Sequence, residues 1–150
     1  MNSRTILSGI ALVAVFAGTA RAQGKGATTD SARLQGVWKM VSGSADGMSL
    51  PPDYVKGMSR AAEGPYVTIT LNGSLYFKAH FVLGADKSPK EIDYHMMEGV
   101  TKGATQLGVY RISGDTAWFA FASPGKPRAT DFTTKAGDGK TLSMWVRGKL

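Results

Sequence analysis

His80, Asp93 and His95 are the residues whose types and spacing could do metal chemistry. Two imidazoles and a carboxylate can hold a zinc ion and leave a fourth position for water. Strict alternation over Leu75 to Leu83 and over Ile92 to Met96 turns all three outward on neighbouring strands, and pairing Phe81 with Tyr94 sets His80 beside His95. A site there would lie on an open sheet face with no surrounding groups to orient its ligands, so the three are read as surface residues and no metal is assigned. Gly-x-Ser-x-Gly, His-Glu-x-x-His and phosphate-loop motifs are all absent from the sequence. Gly24-Lys25-Gly26 begins a dinucleotide-like pattern without a preceding strand, and Asn72-Gly73-Ser74, formally a glycosylation sequon, reads better as a tight turn. No nucleophile is placed beside a base, so the chain is read as a non-enzyme with no catalytic residue and no cofactor.

Recognition chemistry is better represented. Phe77, Phe81, Tyr94, Tyr110 and Phe119 fall on the inward side of their strands and are the candidate ligand-binding wall, with Arg128 in a later loop as a candidate partner for an anionic head group. The same rows are what any barrel needs to fill its interior. Large inward rings favour a filled core, whereas an opening beside Ala79, Gly108 and Ala117 favours a cavity.

The element that must position these groups is the run Leu34-Gln35-Gly36-Val37-Trp38, with Arg147 over a hundred residues later. Gly36 leaves room where a first strand enters a small barrel, and Trp38 is large enough to cover its closed end. Arg147, on the last strand, is expected to lie over the indole and bond the rim carbonyls.

Ahead of that run, Arg4, an apolar stretch from Ile6 to Ala17 and Ala20-Arg21-Ala22 predict a signal peptide over residues 1–22, cleaved before Gln23. The apolar stretch is about half the ~20 residues that span a bilayer, so no membrane span is expected after its removal. A periplasmic or secreted location follows. Residues 23–33 are polar and Gly-rich and read as a mobile leader, to which Asp30 to Arg33 can add one helical turn. The rest, residues 34–150, suits one domain held by burial and sheet pairing, because the chain has no cysteine. The formal net charge is +7, of which Arg4 and Arg21 supply two, and the remaining lysines are scattered singly. That dispersion argues against nucleic acid as a partner.

From Pro65 onward, period-two alternation and short turn signals predict seven or eight antiparallel strands. The turns fall at Asn72-Gly73 and at Ser113-Gly114-Asp115, and a short strand is expected near Phe132. Ser42 to Ala62 reads as a long first connection with one short helix at Pro51 to Gly57, and its Leu50 to Met58 portion would lie across one mouth as a lid. The fold expected is an all-β antiparallel meander closing into a barrel of about eight strands.

Four ordered motifs carry a resemblance: Leu34-Gln35-Gly36-Val37-Trp38, Ser88-Pro89-Lys90-Glu91-Ile92-Asp93, Gly108 to Thr116 (GVYRISGDT) and Pro124 to Phe132 (PGKPRATDF). In order and spacing the chain resembles an uncharacterised family of small exported domains abundant in planctomycetes and described as lipocalin-like. Ala129, where the family has Pro, and Ala120, where Cys is common, depart from the pattern. The resemblance implies a lipocalin-like barrel and export, and brings no activity, catalytic residue or cofactor with it. Two functions are weighed: a barrel holding a small apolar or amphipathic molecule, and a filled barrel whose surface contacts an envelope protein.

Overall fold

The computed structural model describes residues 25–149, so the expected signal peptide lies outside the described residues. Eleven elements follow in order: α1 (Lys25–Arg33), β1 (Gly36–Ala45), β2 (Met48–Ser49), α2 (Pro52–Gly57), β3 (Met58–Glu63), β4 (Tyr66–Leu71), β5 (Ser74–Gly84), β6 (Glu91–Glu98), β7 (Thr105–Ser113), β8 (Thr116–Phe121) and β9 (Thr141–Arg147). All neighbouring strands are antiparallel, and β1 pairs with both β3 and β9, which closes an eight-strand barrel with β2 added as a small outer flap. Closure removes the sheet edges that would otherwise be open to other chains.

Local chemistry explains the connections. Asn72 and Gly73 take φ of 50° and 81°, the paired positive values of a two-residue hairpin turn, and Leu71 faces Ser74 across it. Asp46 and Gly47 do the same between β1 and β2, at φ of 53° and 80°. Inward positions alternate as the pattern requires: Val67 and Ile69 on β4, Ile92, Tyr94 and Met96 on β6, and Ala117, Phe119 and Phe121 on β8 are all buried in one core.

Four expectations are corrected. Among the described residues there are two helices rather than one, because the segment expected to be a mobile leader forms α1 and docks by a buried Asp30. The long first connection contains a strand: β3 reads Met-Ser-Arg-Ala-Ala-Glu, poor in β-branched residues, and is formed by pairing with β1 and β4 rather than by its own propensity. Leu75 does not join the inward row. A bulge on β5 opposite Ile69 and Thr70 makes Tyr76 an extra residue, which leaves Leu75 half-exposed. Finally, Phe132 is in no strand. It packs, with Leu142, against Val109, Ala120 and Ala129, so the loop after β8 covers the outside of the β7 and β8 pair.

Candidate functional site: the open end of the barrel

The two ends of the barrel are built differently, and Trp38 divides them. Trp38 is fully buried, and its Nε1 donates to the Leu34 carbonyl at 3.1 Å. Arg147, its cross-strand neighbour on β9, lies over the indole with its guanidinium carbon 4.3 Å from the ring centre. All three guanidinium nitrogens are used: Nη1 donates to the Gln35 carbonyl at 3.0 Å, Nη2 to the Arg33 carbonyl at 2.7 Å, and Nε to Asp115 at 3.0 Å. Trp38 and Arg147 meet as expected, but Gly36 is required for its positive φ of 88° rather than for room, since a Cβ there would come no nearer than 3.9 Å to Arg147 Nη1.

Below it, α1 drops Asp30 into the interior, where the residue is only 3 % exposed. Its Oδ2 accepts from Lys90 Nζ at 2.6 Å and from the Tyr110 hydroxyl at 2.8 Å. Burial alone would raise its pKa, but the bonds from Lys90 and Tyr110 and the nearby cations outweigh it and hold the carboxyl below its ordinary value of 3.8. Burial and the bond to Asp30 push the Tyr110 phenol in the opposite direction, well above its ordinary value of 10.0. Tyr110 therefore belongs to the closure of the barrel and not to a ligand wall.

The opposite end holds a cavity of about 280 Å³. Phe77, Tyr94, Phe119 and Phe121 line it from β5, β6 and β8, Trp145 from β9, and Leu50, Tyr54 and Met58 from the lid. Of the residues picked from sequence, Phe77, Tyr94 and Phe119 meet there, whereas Phe81 is buried without reaching the cavity. Arg128 is outside: its Nη1 donates to Asp93 at 2.6 Å and to the Gly108 carbonyl at 2.9 Å, tying the loop after β8 to the barrel wall. The space beside Gly108 is not open, since a Cβ there would stand 2.5 Å from the Phe121 ring.

The lid is fixed at both ends by absent side chains. A Cβ on Gly43 would meet Leu50 at 2.6 Å, and one on Gly57 would overlap the Asn72 side chain. The Tyr54 and Tyr76 rings meet edge to face at 6.1 Å, joining α2 to the bulge of β5. Burial, with a hydrogen bond to Tyr76, raises the Tyr54 phenol pKa above its ordinary value of 10.0.

Sequence reading missed Arg60. It lies on β3 opposite Trp38, is 1 % exposed, and also lines the cavity. Nη1 donates to the Leu34 carbonyl at 3.1 Å, the same oxygen that Trp38 uses. Nε and Nη2 have no partner, and no ion pair among the described residues includes Arg60. The signal that could have found it is the alternation Met58, Arg60, Ala62 before the Gly64-Pro65 turn, with an arginine at an inward position.

His80 and His95 are cross-strand partners, with ring centres 6.0 Å apart. Asp93 is committed to Arg128, and among the described residues no group of three or more His, Cys, Asp or Glu is placed to hold a metal ion. Among the same residues, no helix is long and apolar enough to cross a membrane. Comparison with protein families, with curated proteins and with solved structures finds no match to the chain.

Proposed function

We propose that this protein is an exported barrel that holds a small apolar or amphipathic molecule in its open end. One observation carries the reading: a cavity of about 280 Å³ walled by aromatic and aliphatic side chains beneath a helical lid. That volume sits just under the roughly 300–1,000 Å³ of drug-sized sites, which fits a slim ligand. The lid supports reversible entry, since α2 is six residues long and none of its residues is buried. Lifting it would give up the packing of Tyr54 against the core but no fully buried residue of the helix.

The test is a titration with a neutral amphipathic fluorophore, read by quenching of Trp emission. Saturable binding is expected. Absence of saturation up to the millimolar range, where even ~4 kcal/mol of affinity registers, would remove the reading. The other reading, an interaction module for an envelope protein, has its own support in the exposed apolar residues Met48, Leu75 and Val100. It becomes the better account if the titration fails.

A further inference from the structure

We propose that the cavity takes a small organic anion, a monocarboxylate with an apolar chain, whose head group docks on the Nε and Nη2 edge of Arg60. The inference rests on the reading of the cavity as a ligand site and names the class of molecule it selects.

An arginine keeps its charge in any protein environment, so Arg60 cannot escape burial by losing a proton. Taking such a charge out of water costs several kcal/mol unless hydrogen bonds and a counter-charge compensate. Here compensation is partial. One nitrogen bonds the Leu34 carbonyl, and the Phe119 ring lies 5.1 Å from the guanidinium carbon. The nearest comparison is Arg147 on the other side of Trp38, with every nitrogen satisfied. The two orphaned nitrogens of Arg60 are adjacent on one edge of the planar group, the parallel pair of donors that a carboxylate accepts with both oxygens. Anchoring through Nη1 holds the guanidinium while that edge remains free.

The surroundings suit an anion with an apolar body. Met58, Ile69 and Phe119 border the cavity together with Arg60, and no carboxylate is among its lining residues. Both nitrogens are closed to solvent, so a head group reaches them through a shift of the side chains around Arg60. The chain of the ligand would then run from Arg60 toward Tyr54 and Tyr76 at the lid.

The experiment compares two probes of the same chain length, octanoate and octanol, by calorimetry or by displacement of a neutral fluorophore, on the wild type, Arg60→Met and Arg60→Lys. In the wild type, octanoate is expected to bind at least about tenfold more tightly than octanol, the scale of one charge-assisted hydrogen bond. Arg60→Met should erase the preference while keeping octanol binding, and Arg60→Lys, which keeps the charge but not the fork, should retain only part of it. Equal affinities in the wild type, or a preference that survives in Arg60→Met, would overturn the proposal while leaving the cavity reading intact. Binding of neither probe would overturn both. If Arg60→Met does not fold, the matched pair on the wild type still decides.

Discussion

Two arginines flank the same tryptophan, and the difference between them separates the work of the two ends of the barrel. Arg147 closes the outer end over Trp38 and uses each of its three nitrogens, on two backbone carbonyls and Asp115. Arg60, inside, shares one carbonyl with Trp38 and leaves two donors unused beside a cavity. A satisfied network rigidifies and holds a fold, while an unsatisfied buried one costs stability and marks a place where something else can bind. The closed end is thus read as the source of stability and the open end as the source of recognition.

The largest expected effect breaks the closed end. Trp38→Ala should cost about 3–5 kcal/mol as a large-to-small change at a fully buried site, whereas Phe77→Ala, half-buried and already bordering empty space, should cost under about 2 kcal/mol. Denaturant unfolding of the two variants measures the difference. Equal costs would show that the two ends support the fold alike.

Next is Asp30→Asn, which removes the charge that Lys90 and Tyr110 bond and should cost about 1.5–3 kcal/mol near neutral pH. Its folded pKa lies below 3.8, so the unfolded chain takes up protons first as pH falls. The contribution is complete above the unfolded value and is lost as pH drops through the folded one. Tyr110 acts at the other limit: its pKa is raised, so its contribution is complete below 10.0 and fades as pH rises beyond it. Stability against pH should therefore show a plateau between these limits. The gap between wild type and Asp30→Asn should close on the acid side, and a gap unchanged at pH 2 would contradict the assignment.

A smaller effect sharpens the pairing at the rim. In a double-mutant cycle Trp38→Ala and Arg147→Ala should couple by about 0.5–2 kcal/mol, the range of a cation over an indole. Strict additivity would mean that the contact contributes nothing.

How much of this was legible in the sequence depends on which force set each residue. Trp38 and Arg147 could be paired because Gly36 and the last strand leave few places for an indole and a guanidinium. The inward rows of β4, β6 and β8 could be read because apolar alternation is demanded by burial itself. Tyr110 was picked for its ring, but its role is set by a hydroxyl bond to Asp30, 80 residues away in a helix that composition gives no reason to dock. Tyr76 enters the cavity wall by a bulge, a change of register that alternation cannot foresee. Arg60 escaped notice because β3 forms by pairing with its neighbours rather than through strand propensity.

The smallest expected change in stability lies at the lid. Gly57→Ala puts a Cβ against Leu71 at 3.0 Å and against the Asn72 side chain, which should lift the end of α2 from the β4 to β5 turn. Stability should fall by no more than about 1 kcal/mol, while ligand release measured by stopped-flow displacement should speed up several-fold. An unchanged release rate would show that the lid does not gate the cavity.

Two of the three indole N–H groups test the division of labour most directly. Trp145 lines the cavity and donates to Ser143 Oγ at 2.8 Å, while Trp38 donates to the Leu34 carbonyl at the closed end. In a proton–nitrogen correlation spectrum titrated with octanol, a chain without a head group for Arg60, the Trp145 signal should move in a saturable way and the Trp38 signal should stay in place. Equal movement of both, or no movement of Trp145 up to millimolar octanol, would contradict an account in which one end holds the fold and the other holds the ligand.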